Sequence, residues 1–172
     1  MAHACGHAND DLFAKMLASQ AAGQGALPPG LGLRAEAFGA LLARHFPGFG
    51  PLGVAAGAEL DPVRASERSD LVGLMLEGRA GSDPSEVWLA EIVAAACMAG
   101  DHLWQDLGLW SRKDLSRLMA DNFPHLAALN DRDMKWKKFL YRQICDREGI
   151  PVCPAPSCQS CTDYAKCFES KE

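Results

Sequence analysis

Four of the seven cysteines, Cys153, Cys158, Cys161 and Cys167, lie within one short stretch near the C-terminus with the spacing C-x4-C-x2-C-x5-C. Four thiolates that close together commonly hold a metal centre. The alternative is a disulfide framework, but such frameworks belong to small secreted chains, whereas this chain has 172 residues, 48% of them hydrophobic. The first residues lack the basic and apolar segments of a secretory signal. We therefore expect a cytoplasmic protein with reduced, metal-binding cysteines.

The spacing of the cysteines also bears on which metal they bind. Structural zinc sites usually pair two short Cys-x-x-Cys segments across a dozen or more residues. Here one continuous loop supplies all four ligands, and the first three have the C-x4-C-x2-C spacing of plant-type ferredoxins. Pro151, Pro154 and Pro156 restrict the backbone of this loop. The pattern favours an iron-sulfur cluster over zinc, which stays open as the second interpretation.

Two residues outside the motif are further candidate metal ligands. Cys145 precedes the loop on a predicted helix and is either a fifth thiolate or a small core residue. His102 belongs to the segment Asp101–Asp106, which follows the glycine that ends a predicted buried helix. Polar groups beside apolar surface need partners, so this segment is either a hydrogen-bond network that positions Trp104 or part of a metal or oxyanion site. Cys97, in the apolar helix, is predicted to be structural.

The apolar residues recur at three- and four-residue intervals, which predicts an all-α helical bundle. Two similar segments, Leu41–Pro47 and Leu118–Pro124, suggest two stacked helical hairpins, and the histidines beside them, His45 and His125, are interpreted as helix-end or surface residues. We expect a helical domain over residues 1–150 and a cysteine-rich tail over 151–172. The predicted helices cover residues 9–22, 34–45, 64–78, 85–99, 112–121 and 133–147.

Local signals set the ends of these helices. The segment Ser82–Glu86 contains an N-cap residue and a proline in the first turn, Ser111 is a predicted cap, and Asp131 or Asp133 is predicted to cap the last helix. Gly149 is predicted to end that helix, and the Phe-Pro pairs at Pro47 and Pro124 are interpreted as helix stops. Residues 23–32 are predicted to form a loop.

Charge and motifs exclude several functions. The net charge of −5 argues against nucleic-acid binding, and the absence of a long apolar run argues against a membrane span. No P-loop, G-x-G-x-x-G or Ser-His-Asp set is recognisable. A basic stretch precedes the cysteines and is either a solvated helix face or a docking face for an acidic partner or a small oxyanion. Its cations are Arg132, Lys135, Lys137, Lys138, Arg142 and Arg147.

Several segments together resemble one family. Trp88–Val93, Cys97–Leu109, Asp133–Tyr141 and the terminal cysteine motif with Cys167-Phe168 are similar to the nitrogen-fixation protein family NifQ. The resemblance covers roughly residues 85–168, and the family's cysteine motif falls without any change of spacing on Cys153, Cys158, Cys161 and Cys167.

The resemblance implies a molybdenum-iron-sulfur protein that supplies molybdenum for the iron-molybdenum cofactor of nitrogenase. The implied partners are molybdate, the cofactor-assembly scaffold NifEN and the nitrogenase iron protein NifH. A cuboidal cluster, of the 4Fe-4S or 3Fe-4S type, offers bridging sulfides to a metal that arrives as a hard oxyanion. Such a protein is a metal donor rather than a turnover enzyme.

Two other functions remain open at this point. The cysteine loop is consistent with a zinc-stabilised interaction module, in which the metal only folds the tail. It is equally consistent with a simple electron-transfer protein that carries an ordinary iron-sulfur cluster. Metal content and colour distinguish all three functions.

Overall fold

The computed structural model describes residues 4–48 and 62–149, and these residues form only helices, turns and loops. The prediction of an all-α fold is confirmed for this part of the chain. The helices are α1 (Asp10–Ala21), α2 (Ala35–His45), α3 (Pro62–Glu77), α4 (Pro84–Cys97), α5 (Leu103–Asp106), α6 (Arg112–Asn122), α7 (Pro124–Leu129) and α8 (Trp136–Glu148). The cysteine-rich tail, predicted over 151–172, lies outside the described residues.

Helix α4 is the centre of the bundle. Asp83 caps its start by accepting the Ser85 N–H at 2.8 Å, and Pro84 occupies the first turn, where its missing N–H costs nothing. The helix itself has apolar or small residues on nearly all of its faces, and Leu89, Ile92 and Val93 are fully buried. Helix α3 packs against α4 and also against α8. Helix α3 therefore connects α8, which precedes the tail, to the buried helix α4.

A left-handed turn precedes α2, within the predicted loop of residues 23–32. Gly30, Leu31 and Gly32 all have positive φ angles. A Cβ atom on Gly32 would lie 2.9 Å from the Ala95 Cβ of α4, so only glycine permits this approach. The turn brings the fully buried Leu31 onto α4 and fixes the direction in which α2 begins.

The two similar segments share a backbone conformation where each helix ends. Phe46 after α2 has φ −138° and ψ 57°, and Phe123 after α6 has φ −134° and ψ 56°. Pro124, however, does not simply stop the chain, because it occupies the first position of α7, a helix that the sequence analysis missed. Proline is favoured at that position, since its absent N–H would have no partner there in any case.

The start of α8 also differs from the prediction. The helix begins at Trp136 rather than at residue 133, and neither Asp131 nor Asp133 caps it. Asp133 has a φ of 49°, which is incompatible with a helix start. Asn130 instead closes the preceding turn, accepting the Met134 N–H at 2.9 Å. The other end is as predicted: Gly149 has a φ of 68° and donates its N–H to the Cys145 carbonyl.

None of the helices in the described ranges combines the length and the apolar character that crossing a membrane requires.

Candidate functional site

The four predicted cluster ligands, Cys153, Cys158, Cys161 and Cys167, lie outside the described residues. Within 4–48 and 62–149, no three His, Cys, Asp or Glu side chains are grouped closely enough to hold a metal ion. Helix α8 ends at Glu148, five residues before the first motif cysteine. The described residues therefore show how α8, the helix that precedes the predicted metal-binding tail, is packed against the rest of the protein.

A buried ion pair fixes the first turn of α8. The Lys137 ammonium contacts the Asp106 carboxylate, and their side chains are 6% and 3% exposed. Lys137 also donates to the Ala99 carbonyl at 2.8 Å, while the Asp101 N–H donates to the same Asp106 carboxylate at 3.0 Å. Burial raises the pKa of Asp106, and the hydrogen bond and charge of Lys137 oppose that rise. The pair ties α8 to the segment between α4 and α6.

Lys137 corrects the interpretation of the basic stretch. This residue is 5% exposed, so it belongs to the interior and cannot form part of a docking face. Arg142 and Arg147 do reach solvent, where they form ion pairs with Asp146 at 3.6 Å and with Glu77 at 2.7 Å. Lys137 is therefore a structural residue, whereas Arg142 and Arg147 form surface ion pairs.

His102 lies at the start of α5 and is half-buried. Its carbonyl accepts the N–H groups of Gln105 and Asp106, which forms the first turn of that helix. The segment folds against α8, because Lys137 contacts Ala99 and Asp106. The contact is at the N-terminal end of α8. At the usual rise of 1.5 Å per residue, it lies about 18 Å along the helix axis from Gly149. A ligand role for His102 stays a prediction.

Two cysteines occupy different positions relative to the tail. Cys145 is buried in the last turn of α8, eight residues before Cys153, and its ligand role also stays a prediction. Cys97 is fully buried in α4, and burial raises its pKa to about 12. Since the thiolate is the form that binds metals, Cys97 is a core residue, as expected from the sequence.

The structure brings together three polar residues that the sequence analysis did not connect. His45 is fully buried, not at the surface, and its Nδ1 lies 2.6 Å from an Asp10 carboxylate oxygen. The Nε2 of the same ring lies 2.8 Å from the Ser85 Oγ. Because the three residues are separated by 35 and 40 positions in the chain, no local pattern reveals them.

These three residues form a Ser-His-Asp arrangement with a structural role. Burial lowers the pKa of His45, so the neutral ring donates from Nδ1 to Asp10 and accepts from Ser85. Burial alone would raise the pKa of Asp10, but hydrogen bonds from His45 and from the Gly6 and His7 N–H groups hold it below its usual value. Ser85 is 2% exposed and cannot reach a substrate. The network joins α1, α2 and α4.

Comparison with known proteins gives a consistent result. The sequence model of the NifQ family matches residues 12–169. The chain is 42% identical to "Protein NifQ" of Azotobacter vinelandii, over 94% of this chain and 88% of that protein. It is 40% identical to "Protein NifQ" of Rhodobacter capsulatus, over 91% and 86%, and 45% identical to "Protein NifQ" of Klebsiella pneumoniae, over 65% and 66%. No solved structure matches the chain.

Proposed function

This chain belongs to the NifQ family of nitrogen-fixation proteins, and we propose that it binds molybdenum together with an iron-sulfur cluster and donates that molybdenum to the biosynthesis of the nitrogenase iron-molybdenum cofactor. The observation that carries the proposal is the set of four cysteines, Cys153, Cys158, Cys161 and Cys167. It is a contiguous group of soft ligands directly after a helix that is anchored in the core.

The donor set fits an iron-sulfur cluster. Four thiolates satisfy the usual ligand requirement of such clusters, and none of them has to come from the buried helices. Cys97 is fully buried in α4, where burial disfavours the thiolate, so it is not proposed as a ligand. Cys145 and His102 are proposed as additional ligands. Cys145 would supply a fifth thiolate, whereas the neutral imidazole of His102 would be displaced more easily than a thiolate and would keep molybdenum labile.

Molybdenum is the cargo of this reaction, and molybdate is its source. Cys153, Cys158, Cys161 and Cys167 would hold a cluster of the 4Fe-4S or 3Fe-4S type, which would supply soft sulfide ligands for the incoming metal. The task of the protein is to hold the cysteine loop at a fixed place. The Lys137–Asp106 pair contributes to this task, since it joins the first turn of α8 to the segment that follows α4.

We propose that the protein hands the molybdenum to the cofactor-assembly scaffold NifEN together with the nitrogenase iron protein NifH. A metal donor differs from a turnover enzyme in that its cargo leaves with each transfer.

The proposal is tested by metal analysis of protein purified without oxygen from cells supplied with molybdate. We expect brown protein that contains iron, sulfide and molybdenum. A variant with Cys153, Cys158, Cys161 and Cys167 all changed to alanine should lose all three, whereas the control Cys5→Ala, at an exposed position, should retain them. Colourless protein containing zinc would indicate an interaction module instead. Iron and sulfide without molybdenum would indicate electron transfer.

A further inference from the structure

A solvent-exposed tryptophan lies on the face of the protein formed by α1 and the start of α6. Trp110 is 65% exposed. Two large hydrophobic side chains are exposed among the described residues, and Trp110 is the more exposed of the two. Arg112 and Lys113, two and three residues later, are also exposed. We call Trp110, Arg112 and Lys113 the Trp110 surface.

The fold does not require Trp110 to be a large aromatic residue. Ser111 caps α6 by accepting the Asp114 N–H at 3.2 Å, which provides the start signal of this helix. A residue immediately before such a cap often packs on the fourth helical residue, here Leu115. Leu115 is already 3% exposed although most of the indole remains in solvent. Packing therefore accounts for only a minor part of the Trp110 side chain.

The charges beside Trp110 are unfavourable for the helix that carries them. Arg112 and Lys113 occupy the first turn of α6, where the helix dipole already places partial positive charge. Neither residue forms an ion pair with any residue of the described part of the chain. A chain with a net charge of −5 thus keeps two exposed cations where helix stability disfavours them.

The carboxylates near this surface are already engaged. Lys15 lies between Asp11 at 3.0 Å and Asp114 at 2.7 Å, and Arg117 pairs with Asp11. The Lys15 ammonium also lies 5.5 Å from the centre of the Trp110 ring. The neighbouring acids are thus neutralised within the protein, so Arg112 and Lys113 remain as an excess of positive charge around the indole.

We infer that the Trp110 surface docks an acidic patch of a partner protein, with the indole inserted into a pocket and the two cations facing carboxylates of the partner. Exposed tryptophan beside arginine is typical of the residues that dominate protein interfaces. Complementary charge at the rim speeds encounter and fixes orientation. Two unpaired cations on an acidic chain are too few to bind nucleic acid. This inference rests on the proposed function only in the choice of partners for its test.

The test measures binding of the metal-loaded protein to immobilised NifEN and to immobilised NifH by interferometry. For whichever of them binds the parent, we expect Trp110→Ala to raise Kd at least tenfold. The double variant Arg112→Glu with Lys113→Glu should lower the association rate at least tenfold at 50 mM NaCl and by much less at 500 mM. Circular dichroism verifies that each variant is folded.

Matched controls separate local contacts from general effects. Leu129→Ala removes the other exposed large hydrophobic side chain, which is 47% exposed. Arg34→Glu with Arg79→Glu makes the same change of net charge at two other exposed positions, one of which is also at the start of a helix. Both controls should bind within twofold of the parent.

Three outcomes would overturn the inference. The first is that the Trp110 and Arg112/Lys113 variants bind within twofold of the parent. The second is that Trp110→Ala changes only self-association in sedimentation, which would make a second copy of the chain the occupant. The third is that the parent binds neither protein. Molybdenum content is measured in parallel, so that a failure of this surface is distinguished from a failure of the proposed metal function.

Discussion

Lys137→Met tests whether the buried ion pair holds α8 in place. Methionine nearly preserves the length of the side chain but removes the ammonium from Asp106, whose side chain is 3% exposed, and from the Ala99 carbonyl. Removing one partner of a buried pair typically costs about 3–5 kcal/mol, because the other charge stays buried without compensation. For a chain of this size, that corresponds to a fall in Tm of roughly 6–20 °C.

The same variant has a predictable pH dependence. Burial already raises the pKa of Asp106, and removal of Lys137 takes away the main opposing effect. The folded state then binds a proton at a higher pH than the unfolded state does, so the free energy of unfolding increases as the pH falls through the raised pKa. We expect the free energy of unfolding of Lys137→Met to fall below that of the parent by less at pH 5 than at pH 8.

The assay is urea unfolding followed by circular dichroism at both pH values, with Arg142→Met as the control on the same helix. Arg142 forms only an exposed pair at 3.6 Å, so its loss should cost at most about 0.5 kcal/mol. Adding Asp106→Asn to Lys137→Met should restore most of the stability, since the amide oxygen can still accept the Asp101 N–H. If Lys137→Met is as stable as Arg142→Met, or equally destabilised at both pH values, the pair does not have this role.

Three other predictions concern the network, the tail and His102. Because burial lowers the pKa of His45, the parent should lose up to about 1.4 kcal/mol of stability between pH 7.5 and 5.5 from this group, and His45→Gln should remove that part of the pH dependence in urea titrations. A parent whose free energy of unfolding does not change between these pH values would contradict this prediction. The quadruple Cys-to-Ala variant should retain the helical circular dichroism of the parent, because the described helices and the turns between them already form a buried core; global unfolding would contradict this. His102→Ala should keep iron and sulfide but bind less molybdenum, and equal molybdenum content in variant and parent would exclude a ligand role.

The sequence predicted the features that depend on local patterns. The capping signal at Asp83-Pro84, the cap at Ser111 and the αL glycine at Gly149 all act within one helical turn, and the structure has each of them. Helix α7 was missed because Pro124 was interpreted only as a stop. Proline can follow the end of one helix and also begin the next helix, and whether a second helix forms depends on the residues that follow it.

The features that the sequence did not predict depend on distant contacts. Lys137 was grouped with its charged neighbours, yet its position in the fold is set by Asp106, 31 residues earlier. His45 was interpreted as a helix-end or surface residue. It does end α2, but its burial could not be predicted because its partners Asp10 and Ser85 come from two other helices. A buried polar group is recognisable only once its partner is known, since the same residue without that partner would belong in solvent.

The central claim is that this protein donates molybdenum from its cysteine loop. The most direct measurement mixes the purified, metal-loaded protein with NifEN and NifH without free molybdate and then determines the molybdenum bound to re-isolated NifEN. We predict transfer that exceeds the transfer from an equal amount of free molybdate, and none with the quadruple Cys-to-Ala variant. Transfer from the loaded protein that does not exceed the transfer from free molybdate would contradict the claim.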